Sequence, residues 1–67
     1  GDTSREIELE VADADALIAE IEEAFDEEKS ILWFTDVGDR RIGVPLPRIA
    51  YVEVEPDQRV SVGFTAS

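Results

Sequence analysis

A chain of 67 residues with neither cysteine nor histidine has to hold itself folded by packing alone. Disulfides, a common reinforcement of small folds, need cysteine. A structural zinc site needs cysteine or histidine ligands. A domain of this length buries only roughly 60% of the surface its unfolded chain exposes. One core of that size rarely supplies more than about 3–5 kcal/mol of net stability. The chain therefore reads as a single domain, residues 1–67, with dense packing or a partner chain as its available support.

The hydrophobic pattern sets the elements. Residues 1–4 are a polar lead-in. From Arg5 to Val11 the chain alternates strictly, with Ile7, Leu9 and Val11 on one side and Glu6, Glu8 and Glu10 on the other. That period of two describes a strand with one buried and one wet face. Asp13 is placed to cap a helix, since its carboxylate accepts from free N–H groups and suits the positive end of the dipole. Ala14, Leu17, Ile18, Ile21 and Phe25 then recur at helical spacing and predict one apolar stripe. Late in the same helix, Glu22, Glu23, Asp26, Glu27 and Glu28 oppose the dipole and repel one another, so packing has to hold it.

Ile31 to Thr35 is apolar on both faces, as in a central strand covered on both sides. Asp36-Val37-Gly38-Asp39 predicts a hairpin turn, with Gly38 free to take positive φ. Ile42, Val44 and Leu46 alternate on the return strand, where Pro45 and Pro47 predict fraying or an edge. Ile49 to Glu55 reads as a further strand with Ala50, Val52 and Val54 on one face. Pro56-Asp57-Gln58 turns into a last strand carrying Val60, Val62 and Phe64. The expected fold is α+β, in the order β-α-β-β-β-β: an antiparallel meander with one amphipathic helix packed on one face.

Charge excludes several classes of partner. Seventeen acids against six bases give a net charge of −11. Nucleic-acid binding needs cationic surface to displace counterions from phosphate, and anionic membranes attract basic segments. Neither partner is expected. The acidity reads as a solvated coat, as adaptation to a salty cytoplasm, or as a face that docks a basic partner. No run approaches the roughly 18 apolar residues that span a bilayer. Without an export signal or a cysteine, the expected location is the cytoplasm.

Chemistry is equally constrained. The commonest general base and the most reactive nucleophile are both missing. Carboxylate pairs are frequent, as they must be at this acid content, and no hydroxyl lies in a nucleophile motif. No phosphate-binding glycine loop occurs, and neither enzymatic activity nor a cofactor is expected. Asp36, Gly38 and Asp39 faintly resemble a cation-binding turn but lack the twelve-residue calcium pattern, so a turn stabilised by its own carboxylates is the simpler reading. Arg40, Arg41 and Arg48 are the most unusual local charges on so acidic a chain. Arginine takes carboxylate or phosphate bidentately. Internal pairing with Asp36, Asp39 or Glu53 is the plainer alternative. Adjacent strand residues face opposite sides, so Arg40 and Arg41 are not expected to serve one site. Trp33 is either core or, with Tyr51 and Ile49, part of an aromatic patch on the outer sheet face. Tryptophan, tyrosine and arginine are enriched at interfaces.

One stretch goes beyond pattern. Gly38-Asp39-Arg40-Arg41-Ile42-Gly43-Val44-Pro45 leads into Arg48-Ile49-Ala50-Tyr51-Val52-Glu53-Val54, followed by Arg59 and Val62-Gly63-Phe64. With Ser4-Arg5-Glu6-Ile7, this resembles the small actinobacterial proteins of the DUF3107 family. The resemblance covers nearly the whole chain. It implies a cytoplasmic protein from a high-GC organism, in keeping with five arginines among the six bases, and brings no mechanism with it. Members of that family carry a further short apolar strand before the Asp-Thr-Ser-Arg-Glu segment. Where that strand is missing, the strand at Arg5–Val11 is expected to expose an unpaired edge.

The functional expectation is a small, non-catalytic protein-interaction or self-associating module, with Trp33, Arg40, Arg41, Arg48 and Tyr51 as its binding residues. The alternative is an acidic decoy that occupies a basic, nucleic-acid-binding surface on another protein. A small-anion or metal-binding protein is a second alternative.

Overall fold

The computed structural model describes residues 5–65. The polar lead-in expected at residues 1–4 lies outside them. Five strands and one helix follow in the expected order: β1 (Arg5–Glu10), α1 (Ala14–Asp26), β2 (Ile31–Thr35), β3 (Arg41–Pro45), a short 3₁₀ turn (Leu46–Arg48), β4 (Ile49–Val54) and β5 (Arg59–Phe64). The α+β class holds. The meander does not run as one sheet, because the strands divide into a three-stranded sheet, β1-β5-β4, and a two-stranded ribbon, β2-β3. All pairings are antiparallel. The division falls at Pro45 and Pro47. Proline offers no N–H to a ladder, and the 3₁₀ turn between β3 and β4 redirects the chain there.

The two hairpins are built alike. In each, a three-residue loop ends in a left-handed residue, a common way to close a hairpin. Asp36 N–H donates to the Arg40 carbonyl and Asp39 N–H to the Asp36 carbonyl, at 3.0 and 3.1 Å. Glu55 and Gln58 repeat the arrangement, at 2.8 Å to the Arg59 carbonyl and 3.0 Å to the Glu55 carbonyl. The left-handed residues are Asp39 (φ 63°) and Gln58 (φ 75°). Gly38, expected to supply the positive φ, does not, because the left-handed position is one residue further on.

Asp13 caps α1 as expected, its Oδ1 accepting from Ala16 N–H at 3.1 Å. Gln58 of the β4–β5 loop adds a second acceptor, its Oε1 taking the Ala14 N–H at 3.2 Å. The buried stripe is Ala14, Leu17, Ile21 and Ala24. Phe25, expected at its end, is 48% exposed, because Ala24 takes the inward position. The helix ends on a left-handed residue, Glu28 (φ 57°). Around it, Lys29 N–H reaches the Ala24 carbonyl and Glu28 N–H the Phe25 carbonyl. This paired ending normally uses glycine. Glu28→Gly is therefore expected to stabilise the chain by about 1 kcal/mol, or about 5 °C in Tm. It removes both the Cβ strain and a carboxylate at the negative end of the dipole. A thermal melt followed by circular dichroism checks this, and an unchanged or lower Tm would count against the strain at that position.

The core joins both sheets to the helix: Leu9, Val60 and Val62 from the larger sheet, Val44 from the ribbon, Leu46 from the corner, and the helix stripe between them. Within β4 the register shifts between Ile49 and Tyr51. The shift turns Ile49 and Val52 toward the core and leaves Ala50 exposed. Val54, also expected on the inner face, is 47% exposed. Among the described residues no helix is long and apolar enough to cross a membrane.

Candidate functional site

The outer face of the β2–β3 ribbon is built by its register. Trp33 lies opposite Gly43, Ile31 opposite Pro45, and Thr35 opposite Arg41. Period-two alternation sends these six side-chain positions to one face and Leu32, Phe34, Ile42 and Val44 to the other. The second set packs on the core. The first set stays out: Trp33 is 53% exposed and Ile31 44%. The expectation that β2 is covered on both faces is thus corrected, since none of the described residues shields Trp33 or Ile31 on its outer side.

Trp33 is held in place although exposed. A Cβ added to Gly43 would sit 2.9 Å from the far edge of the indole, so glycine is what lets the ring lie flat across β3. The Arg41 guanidinium stands over the same ring, 5.3 Å from its centroid, within cation–π range. Among the described residues Arg41 makes no ion pair. Its charge is therefore offered to solvent beside an exposed indole.

The other expected site residues go elsewhere. Arg40 is taken by Asp36, with Nε 2.8 Å from Oδ2, which is the internal pairing foreseen for it. The second Asp36 oxygen accepts from Gly38 N–H at 2.8 Å and Arg40 N–H at 3.0 Å. These donors hold Asp36 below its usual carboxylate pKa, the Arg40 amide first among them. The carboxylate thus stabilises its own turn. Among the described residues no cluster of three or more acids is arranged to hold a metal ion.

Arg48 closes the 3₁₀ turn with its side chain exposed. Its carbonyl accepts from Thr65 N–H at 2.8 Å. Tyr51 belongs to the other sheet. It lies over Gly63, where a Cβ would overlap its ring, and its hydroxyl donates to Glu6 across the three strands. That bond raises the phenol pKa. Ile49 faces the core rather than the patch. The expected grouping of Trp33, Tyr51 and Ile49 thus separates, and Trp33 with Arg41 is what the structure brings together. Sequence reasoning held both residues but missed the pair. The signal was the hairpin register, which sets Arg41 diagonal to Trp33.

The outer face of the larger sheet is acidic, with Glu6, Glu8 and Glu10 on β1 and Glu53 on β4 exposed. Arg59 tempers it, with Nη1 3.5 Å from Glu8 and Nε 2.8 Å from Asp57. Among curated proteins and among solved structures, none matches the chain. The family model described as "Protein of unknown function (DUF3107)" matches residues 1–65, nearly the whole length, and the chain belongs to that family.

Proposed function

We propose that this chain is a non-catalytic protein-interaction module that docks a partner through the outer face of the β2–β3 ribbon. The observation that carries the reading is Trp33, held flat on Gly43 and capped by Arg41 yet 53% exposed. An aromatic and an arginine that are already ordered lose little freedom on binding, and such residues dominate interface energetics. Ile31 and Pro45 extend the patch beside them. The rest of the surface is heavily acidic, which disfavours nucleic acid and anionic membrane and favours a protein partner. We take the setting to be the cytoplasm, in keeping with the cysteine-free composition.

Capture from the source cytoplasm on the immobilised chain tests the reading. Trp33→Ser is expected to lower capture of the partner by about 30-fold, the loss typical of a central anchor. Its circular dichroism should not change, because the ring lies outside the core. Tyr51→Ser, on the other sheet, should leave capture intact. Equal capture by Trp33→Ser would overturn the proposal.

A second reading, the acidic decoy, rests on the exposed carboxylates Glu20 and Glu23 of α1 and Glu27 beyond it. It predicts the opposite pattern: capture that survives Trp33→Ser but fails at high salt and when those three glutamates are neutralised.

A further inference from the structure

Strand β5 lies in the middle of the larger sheet, so its outward side chains have neighbours on both sides. Val60 and Val62 belong to the core, and alternation sends Ser61 and Gly63 to the outer face. Ser61 stands opposite Glu8 of β1 and Glu53 of β4, and Gly63 stands opposite Glu6 and Tyr51. The Tyr51 ring fills the space above Gly63. Ser61 is therefore left at the bottom of a narrow notch. Glu8 and Glu53 wall its sides, Tyr51 closes one end, and Arg59, which reaches Glu8, closes the other. These taller side chains leave Ser61 only 6% exposed, although it belongs to the outer face.

The notch is polar and lacks a donor. Among the described residues the Ser61 hydroxyl has no hydrogen-bond partner. Every fully buried side-chain polar atom among them is partnered, so this hydroxyl reaches the mouth of the notch. Glu53 makes no ion pair among the described residues. Glu8 has one, to Arg59 Nη1 at 3.5 Å, which is longer than the roughly 2.7–2.9 Å of a charge-assisted bond. Arg59 is held more closely by Asp57, at 2.8 Å. Tyr51 is 43% exposed, so its π-face, which attracts cations, is open to solvent. Its bond to Glu6 raises the phenol pKa, with the Glu53 charge adding to the effect. Two carboxylates, a free hydroxyl oxygen and an aromatic face thus converge on one place.

We infer that this notch takes the guanidinium of an arginine carried on an extended segment of a protein partner. A metal ion fits less well, since among the described residues no three acids stand close enough to hold one. The two carboxylates come from strands on either side of β5, whose axes lie about 9–10 Å apart. A guanidinium presents donors on opposite edges and stacks on aromatic faces, whereas an ammonium is a compact point charge. The planar cation spans Glu8 and Glu53 with an edge toward Ser61, and its stem rests on Tyr51. Charge selects the same class. This face carries Glu6, Glu8, Glu10 and Glu53 against Arg59, on a chain of net charge −11. The row Glu6, Glu8 and Glu10 favours a protein segment over a free small cation, because its two-residue steps match those of a second extended chain laid along the face. The inference is independent of the ribbon reading, since Trp33 and Tyr51 belong to different sheets.

A titration of the full chain, followed by amide and ring-proton chemical shifts, tests it. The probe is a blocked peptide in which arginine alternates with glycine. Shifts are expected at Glu8, Tyr51, Glu53 and Ser61, saturating with a Kd on the order of 0.1 mM. Citrulline in place of arginine keeps the shape without the charge and should bind at least about tenfold more weakly. Lysine in its place should bind about threefold more weakly. Glu53→Gln should weaken binding of the arginine peptide by about tenfold. Glu22→Gln, the same change of charge on the exposed side of α1, should leave it within about twofold. Equal weakening by the two variants would reduce the attraction to net charge and overturn the site. So would a lysine peptide that binds as tightly, shifts confined to other residues, or no shift. Free arginine amide binding as tightly as the peptide would overturn the protein segment as occupant. Tyr51→Ser is expected to lose the peptide while keeping capture that depends on Trp33, so either reading can fail while the other stands.

Discussion

Replacing Leu46 with alanine is expected to leave a large fraction of the chain unfolded at room temperature. Leu46 is 1% exposed and sits in the 3₁₀ turn that joins the ribbon to the larger sheet. Its amide donates to the Ser30 carbonyl at 3.0 Å, so one residue ties the corner to the strand entry after α1. Truncating a buried leucine costs about 2–5 kcal/mol, depending on how far the site collapses. A whole core of this size rarely supplies more than about 3–5 kcal/mol of net stability. The two quantities are comparable, which is why one side chain decides the outcome. A urea titration followed by circular dichroism measures it. A midpoint within error of the unaltered chain would mean that the corner is not part of the cooperative core.

Removing the Asp36 side chain as Asp36→Ala is expected to lower Tm by about 5–10 °C. The residue is 8% exposed and accepts three hydrogen bonds, from Gly38 N–H, Arg40 N–H and Arg40 Nε. Alanine leaves those turn donors without their acceptor. Asp36→Asn separates the contributions, since its amide oxygen can still accept from the two backbone groups while the ion pair is lost. The pH dependence should separate them too. Asp36 has its folded pKa lowered below the ordinary 3.8 by those donors. Its contribution is therefore fully present above that value and is lost as pH falls through the folded pKa. Asp57, held down in the same direction chiefly by the Arg59 amide, adds a similar loss in the second hairpin. Acid unfolding of the unaltered chain should accordingly steepen below about pH 4. Asp36→Asn should unfold along a shallower curve. Superimposable acid curves for the two chains would remove Asp36 from the account.

Much of the fold was legible because local rules and burial agree. Alternation at Ile7 and Leu9, the cap at Asp13 and the stripe through Leu17 and Ile21 each follow from one periodicity, and the packed chain satisfies all of them. What failed depended on angles between elements. The strand order β-β-β-β fits one meander as well as two sheets, and only the turn at Leu46–Arg48 chooses between them. The left-handed position of the first hairpin was misassigned to Gly38 because loop length, not the presence of glycine, locates it. Asp39 occupies it, and Gln58 occupies its counterpart in the second hairpin. At the site, the residue types were legible and their grouping was not. Arg40, Arg41, Trp33 and Tyr51 all stood out, but which pairs meet is set by register and by which sheet each strand joins. Glycine carried the unread part. Gly43 and Gly63 are where Trp33 and Tyr51 lie down, and a residue without a side chain gives no pattern to detect.

The position of β5 between β1 and β4 has a consequence for how the chain is made. The β2–β3 and β4–β5 hairpins close over short loops and can form locally. Among the described residues β1 pairs with β5 alone, Arg5 against Phe64 and Glu10 against Arg59. Those contacts span almost the full sequence, and such long closures slow folding. During synthesis, β1 emerges well before β5 and has to wait for it. Until β5 arrives, α1 has only the β2–β3 ribbon to rest on, and β1 lacks its ladder. The hydrogen bonds of β1 are thus among the last in the fold to be satisfied, although its residues are made well before those of β5.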